Sequence, residues 1–430
     1  MPAEKDLPPP MSSSGFSFAN PTFTADGSTT YSAGQIAGDS NIPESEEIVQ
    51  TDPIPAPRVN PPVMDLSAVL PADALAQIQA SGKLVFHSVG DTGGIIRAEP
   101  QLAVADAMAA DLGGKSYSTG LPGFFFHLGD VVYFFGQETY YPEQFYEPYR
   151  NYAGPIFAIP GNHDGIMYTG EPADYSLEAF VNNFCTPAPV QGVPSFSRTT
   201  MTQPGVYFTL TAPFVRIIGL YSNTSETVGV LSGATIGTDQ ITFLQQQLAA
   251  ALAARNAGSN PEALIIAVHH PPFTGSSAHS PSPDMLAAID QCCTSAGIWP
   301  DMVLSGHAHM YERYTRIMKA DGRQIAYIVA GNGGYYDLPG LKTTKDGAKA
   351  RAGHHSEPDG QGNTITLDQY NDTQYGFLRI TVSATTIQVD SLVVTVTEQT
   401  TSTNPPATTT IDSFTVNLAT HTVTTSKIRS

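Results

Sequence analysis

Seven side chains able to donate oxygen or nitrogen to a cation recur at one kind of place in this sequence, just past a short apolar run. Asp91 follows Lys83-Leu84-Val85-Phe86, and Asp130 and Tyr133 follow Phe124-Phe125-Phe126. Asn162 follows Ile156-Phe157-Ala158-Ile159, His269 follows the run Ala263 to Val268, and His307 and His309 follow Met302-Val303-Leu304. Carboxylate, amide oxygen and imidazole together suit borderline to hard divalent or trivalent metal ions, and the lack of cysteine in the set argues against a thiolate zinc site. One ion cannot hold so many donors. Two ions sharing a bridging carboxylate use them all, and a pair about 3.5–4 Å apart is the usual clamp for in-line displacement at phosphorus. Alone, a Gly-Asp after a strand is commonly a turn and a His-x-His in a loop is more often solvated. Five such motifs in order, each behind an apolar strand, outweigh that reading.

Something must hold these residues on one side of the molecule. Apolar runs that end in glycine and a metal-capable side chain, separated by a helix-length polar segment between Phe126 and Ile156, read as a βαβ unit. In open α/β sheets, ligands collect outside the carboxyl ends of the strands. Helices are predicted over Pro71 to Ala80, with Asp73 placed to start it, Pro100 to Leu112, Asp239 to Arg255 and Met285 to Ser295. Gly205 to Leu210 and Phe214 to Leu220 read as strands, and the unbroken run Ala263 to Val268 reads as a strand buried on both faces. From Ile325 onward the chain is mostly β-type, over Ile325 to Ala330, Phe377 to Val382 and Thr386 to Val396. A second sheet is therefore expected largely from the second half. Residues 1–62, rich in Pro, Ser, Gly and Thr, read as an N-terminal arm, and 63–397 as the catalytic domain. Residues 398–430 are Thr-rich with an alternating Phe414, Val416, Leu418 segment, either an added edge strand or a loose tail.

Composition narrows the partners. The chain has 430 residues, 41% of them hydrophobic, enough for one large α/β core or two domains. A formal net charge of −19 disfavours both a nucleic-acid scaffold and an anionic membrane surface. Three cysteines, Cys185 and the pair Cys292-Cys293, are too few for a disulfide framework, though one bridge is open to them. The pair has helical neighbours and reads as one core and one surface cysteine. No apolar run approaches the ~20 residues of a transmembrane helix. Met1 to Pro10 carries acidic and proline residues where a secretory signal has a basic patch and an apolar core. That reads as cytoplasmic, or as periplasmic or secreted if a leader has been removed.

In the order Gly90-Asp91-x-Gly93, Gly129-Asp130-x-x-Tyr133, Gly161-Asn162-His163-Asp164, Ile266-x-x-His269 and Gly306-His307-x-His309, with Tyr311-Glu312-Arg313 behind, the sequence resembles the calcineurin-like metallophosphoesterases. Within that superfamily it is most similar to the purple acid phosphatases. The resemblance covers about Leu84 to Gly334. It implies a four-layer α/β/β/α sandwich of two mixed β-sheets flanked by helices. It implies one ion on Asp91, Asp130, Tyr133 and His309, and a second on Asp130, Asn162, His269 and His307, with Asp130 as the bridge. Many members have a histidine two residues past the first aspartate; here that place is Gly93, and Tyr133 is the replacement donor the resemblance points to. The alternative for Tyr133 is a tyrosine packed beside the ligands. The implied cofactors are Fe(III) with a divalent Fe, Zn or Mn.

The implied reaction is hydrolysis of small phosphomonoesters by in-line attack of metal-bound hydroxide. The alternatives are a phosphodiesterase acting on nucleotides or glycerophosphodiesters, or a non-catalytic binding module on the same fold. His163 should sit beside the metals without ligating, to steady the transition state or protonate the leaving oxygen, with Asp164 orienting it; otherwise it hydrogen-bonds its loop. His270, His279 and Tyr335 are candidates for substrate contact, His279 being equally readable as an exposed loop histidine. Arg313 has the type of a phosphate binder, but the Tyr-Glu-Arg segment is read as structural.

Overall fold

The computed structural model describes residues 47–48, 53–94, 96–168, 174–191, 198–222, 229–257, 262–343, 347–397 and 405–426. Most of the expected N-terminal arm, and 398–404 and 427–430 at the other end, lie outside them. Two extended sheets form the centre. In the first, seven strands lie in the spatial order Thr422–Thr425, Thr408–Asn417, Thr386–Val394, Gly376–Ser383, Lys83–Val89, Pro122–His127, Ile156–Ala158. In the second, nine strands run His355–Pro358, Thr364–Asn371, Tyr311–Ile317, Gln324–Ala330, Met302–Ser305, Ala263–Ala267, Val215–Gly219, Phe208–Ala212, Val63–Asp65.

Strand alternation explains why two sheets need four layers. Along Ala263–Ala267, the residues Ala263, Ile265 and Ala267 join a core shared with Phe86, Phe124 and Phe126 of the other sheet. Their neighbours Leu264 and Ile266 join the core formed with Phe243, Leu244 and Leu248 of the helix Asp239–Asn256 and Met285 and Ile289 of the helix Pro283–Ala296. A strand covered on both faces has no polar face to show, so it reads as a continuous apolar run. On the opposite side, Ala103, Val104, Ala107 and Met108 of the helix Glu99–Leu112 pack with Phe125. The result is an α/β fold of two mixed sheets flanked by helices.

Each sheet has a run of parallel strands, at one end of the seven-stranded sheet and in the middle of the nine-stranded one. Lys83–Val89, Pro122–His127 and Ile156–Ala158 run parallel in one, and Val215–Gly219, Ala263–Ala267, Met302–Ser305 and Gln324–Ala330 in the other. Their carboxyl ends meet at one rim, where Gly90 N–H donates to Ala330 O (2.9 Å) and ties the two sheets together.

Three expectations change. The connection between Phe126 and Ile156 holds no α-helix. It has a 3-10 turn at Glu138–Tyr140 and a single π turn at Pro142–Tyr146, because Pro142 and Pro148 each remove a backbone donor. It is not polar either, since Tyr141, Phe145, Tyr146, Tyr149 and Tyr152 are buried in the core. The nine-stranded sheet does come largely from the second half, with Val63–Asp65 and Phe208–Ala212 added from the first, but the strands from Gly376 onward return to the first sheet. There Phe414 and Val416 of Thr408–Asn417 join the core between the sheets. Finally, Cys185, Cys292 and Cys293 are all free and buried, so neither of the adjacent pair is a surface residue. Among the described residues, no helix is long and apolar enough to cross a membrane.

Candidate metal centre

The strand ends turn sharply to aim their side chains. Asp91 (φ 56°), Asp130 (φ 52°), His307 (φ 68°) and His309 (φ 46°) all adopt left-handed backbone, a region costing a non-glycine residue about 1 kcal/mol or more. Four such residues at one rim show that surrounding structure holds the strain in place. They converge into two clusters. The ligand atoms of Asp91, Asp130 and His309 lie within 4.8 Å of one another, as do those of Asp130, His269 and His307. Asp130 belongs to both.

The neutral candidates fall into the same two places. Tyr133 Oη lies 3.0 Å from Asp130 Oδ2, 3.3 Å from Asp91 Oδ1 and 3.4 Å from His309 Nε2, which sets it in the first cluster. Asn162 Oδ1 lies 3.1 Å from His269 Nε2 and 3.1 Å from His307 Nδ1, in the second. The tautomer of His269 is set from behind, because a carbonyl can only accept: Nδ1–H donates to Leu128 O (2.8 Å) and Nε2 faces the cluster. His307 N–H donates to Asp91 Oδ2 (2.8 Å), so the second sheet orients a carboxylate of the first.

Electrostatics show what the clusters lack. Asp91 and Asp130 are fully buried, and their ion-pair partners are histidines. Burial raises Asp91 to about 7, against the pull of His269 and the His307 N–H. Burial would lower His269, yet the Asp130 carboxylate, with Asp91 behind it, raises it to about 10. Protons thus sit where cations would relieve the same charge. Carboxylate, amide, phenol and imidazole donors in this arrangement suit two borderline or hard metal ions.

Gly93 explains why Tyr133 can be there. A Cβ at that position would lie 2.6 Å from Tyr133 Cδ2 and 2.4 Å from Gln144 Oε1, so the Tyr133 ring occupies the space a side chain would need. Gln144 grips Tyr133 from both sides, Oε1 accepting from Tyr133 N–H (2.8 Å) and Nε2 donating to Tyr133 O (2.7 Å). Sequence reading missed Gln144, since an amide eleven residues beyond a motif carries no signal of its own. Gly93→Ala is expected to displace Tyr133, with overpacking worth ~1–3 kcal/mol, and to cost the first cluster its ion. Metal content and thermal unfolding measured together check this; unchanged metal stoichiometry would refute the tight fit.

His163 lies beside the clusters. Its backbone N–H donates to Asp130 Oδ1 (3.0 Å), its Nδ1–H to Phe134 O (3.0 Å), and its ring packs on Tyr133. Burial, opposed by the Phe134 hydrogen bond but reinforced by His309 and His269, keeps the imidazole well below its usual range and neutral. Asp164 does not orient it. The Asp164 carboxylate accepts from the backbone N–H groups of Val131, Val132 and Gly161, pinning the Asp130 loop to the Asn162 loop.

His279 is not an exposed loop residue. It is buried, with its ring 4.6 Å from that of His307 and 4.8 Å from that of His309. Its loop is held by Glu312, which accepts from Thr274 Oγ1 (2.7 Å) and Gly275 N–H (2.8 Å). Tyr335 packs at a tilt against Tyr133 (4.3 Å) and His309 (4.4 Å), and His270 lies against His307 (4.1 Å). Arg313 reaches away from the clusters, donating to Asp412 through Nε (2.6 Å), and is a structural residue.

Two solved structures with related chain paths are GAP50, the anchor in the inner membrane complex of Plasmodium, and PhoD. GAP50 is 13% identical with a TM-score of 0.46, over 76% of this chain and 88% of its own. PhoD is 15% identical with a TM-score of 0.45, over 88% of this chain and 74% of its own. No curated protein matches the sequence. The profile of the calcineurin-like phosphoesterases matches residues 89–311, more than half of the chain and the span from the end of the strand before Asp91 to just past His309. The protein belongs to the calcineurin-like phosphoesterase family.

Proposed function

We propose that this protein is a purple acid phosphatase-like hydrolase of small phosphomonoesters. The observation that carries this reading is the Tyr133 phenol, 3.0 Å from Asp130 and 3.3 Å from Asp91, in the space that Gly93 leaves open. Asp91, Asp130, Tyr133 and His309 would hold one ion, and Asp130, Asn162, His269 and His307 the other. Two bound ions would supply a nucleophilic water of lowered pKa and neutralise the phosphoryl oxygens.

The first cluster would take Fe(III), and the Tyr133 phenol supports that choice. Burial, with Asp130 and Asp91 beside it, holds the phenol proton far more tightly than usual. Only a strongly acidic cation displaces such a proton, and Fe(III) with a divalent Fe, Zn or Mn in the second cluster meets that need. His163, fixed by its Nδ1–H donating to Phe134 O, would serve the leaving oxygen as an acid only after Nε2 takes up a second proton from solvent. His279, packed on His307 and His309, and Tyr335, packed on Tyr133 and His309, are the side chains that would meet the substrate.

A visible absorption spectrum, with metal content from the same sample, tests the assignment. A mid-visible band that vanishes in Tyr133→Phe, together with iron and rapid turnover of p-nitrophenyl phosphate, is the expected result. A colourless protein with two zinc or manganese ions would overturn it, and preference for bis(p-nitrophenyl) phosphate would move the activity to diesters.

A further inference from the structure

The chain carries 39 acidic residues against 20 basic ones, yet one groove reverses that balance. It has a volume of about 1130 Å³, and its lining includes Pro122 and Ile156, the first residues of two strands whose other ends lead to Asp130 and Asn162. The strand Pro122–His127, at about 3.3 Å per residue, puts roughly 17 Å of backbone between the groove and the metal end of the sheet. Lys115, Arg150 and Arg198 line the groove, and none of the described residues lining it is an aspartate or glutamate.

The two arginines lack counter-ions. Arg198 is half-buried, and its guanidinium donates only to backbone carbonyls: Nε to Tyr149 O (3.3 Å), Nη1 to Gly154 O (3.4 Å) and Nη2 to Tyr152 O. Those carbonyls flank Arg150 along the chain, so the two arginines share one wall. Arg150 Nη1 donates to Glu147 O (2.7 Å), and Asp106 acts on it only through space. Behind the wall, Arg58 likewise donates to carbonyls, those of Thr202 (2.7 Å) and Gln203 (3.0 Å). Lys115 does meet Asp111, but Arg379 shares that carboxylate.

Elsewhere a covered guanidinium finds acids: Arg313 meets Asp412 and Asp368, and Arg316 meets Asp359 and Asp290. Carbonyls satisfy N–H groups but bring no net charge, so the positive charge at this groove stays unbalanced. Burial lowers Arg198 to about 10, which leaves it protonated at neutral pH. Beside the cations, Val69, Leu112 and Leu121 line the same groove, each partly exposed. A neutral ligand would leave the arginines unbalanced, and an inorganic anion would leave the aliphatic side chains uncovered. Pockets that join an apolar lining to a few charged groups are the usual form of a small-molecule site. We propose that this groove binds a small organic anion, its acid group between Arg150 and Arg198 and its apolar part against the aliphatic side chains. The site is separate from the metal centre and does not depend on the hydrolase reading.

Calorimetry on the full-length, metal-loaded protein tests this, with naphthalene-2-sulfonate as the probe. The sulfonate is expected to bind at least about tenfold more tightly than uncharged 2-naphthol or sodium sulfate, and more weakly as salt is raised. Equal affinity for 2-naphthol would reduce the groove to an apolar cleft, and equal affinity for sulfate to a patch of charge; either result overturns the proposal. Arg150→Glu and Arg198→Gln should each weaken the sulfonate about tenfold, while Arg198→Lys, which keeps the charge, retains most of the affinity. Equal losses in both Arg198 variants would make that residue a tie between backbone segments and overturn its contact with the ligand. Arg150 is exposed and bonds only Glu147 O, so Arg150→Glu tests the charge even where an Arg198 variant fails to fold. Binding that survives Arg150→Glu but is lost in Asp130→Asn would put the probe at the metal centre and overturn the groove as its site.

Discussion

Asp130→Asn is expected to lower kcat for a phosphomonoester on the order of 10³-fold, since the change removes several kcal/mol of charge stabilisation shared by two cation sites. The geometry fixes which way the amide turns. Asp130 Oδ1 accepts the His163 backbone N–H, so that position must remain an oxygen. The amide nitrogen then takes the place of Oδ2, facing Tyr133 Oη at 3.0 Å and His269 Nε2 at 3.3 Å. A nitrogen bearing two hydrogens cannot bind a cation there, so both clusters should lose affinity together. Metal analysis alongside steady-state kinetics checks this, with circular dichroism to show that the fold persists. If the variant keeps two ions and turns over normally, the shared-carboxylate assignment is wrong.

The second large effect is on stability. Arg313, in the nine-stranded sheet, is 2% exposed and pairs with Asp412 of the seven-stranded sheet through Nε (2.6 Å) and Nη2 (3.2 Å). Tyr311 Oη adds a third bond to Asp412 (2.7 Å). Breaking a buried pair by deleting one partner typically costs ~3–5 kcal/mol, because the other charge stays buried. Asp412→Leu should fall at the lower end, about 3 kcal/mol, since the partly buried Asp368 still reaches Arg313 Nη1 at 3.1 Å. The double variant Arg313→Met with Asp412→Leu should recover much of that loss, and a double-mutant cycle from urea unfolding measures the coupling. Simple additivity of the two single losses would show that the pair does not tie the sheets together.

That pair also shows why one strand escaped sequence reading. Tyr311–Ile317 contains Glu312, Arg313 and Arg316, and a run with three charges does not read as buried. All three are nevertheless buried, because each meets partners far along the chain: Glu312 meets Thr274, Arg313 meets Asp412, and Arg316 meets Asp359 and Asp290. Local periodicity cannot register a partner a hundred residues away. The aromatic connection Tyr141 to Tyr152 was misread for a related reason. Its side chains fill a core without forming a regular helix, so neither period marks them.

The sequence alone determined the apolar strands that lead into the site, the carboxyl-end placement of Asp91, Asp130, Asn162, His269, His307 and His309, and the chemistry those donor types can do. Strands covered on both faces must be apolar throughout, and a polar residue just past such a run can only stand at the rim. Tertiary structure decided the rest. It brought the rims of two sheets together so that His307 N–H orients Asp91, seated Tyr133 in the space that Gly93 leaves, and pressed His279 onto His307 and His309. It also gave Asp164 to three backbone N–H groups instead of to His163, and His270 to Ser222. Each of these depends on which distant backbone happens to lie within hydrogen-bond reach, a property of the packed chain that no local pattern encodes.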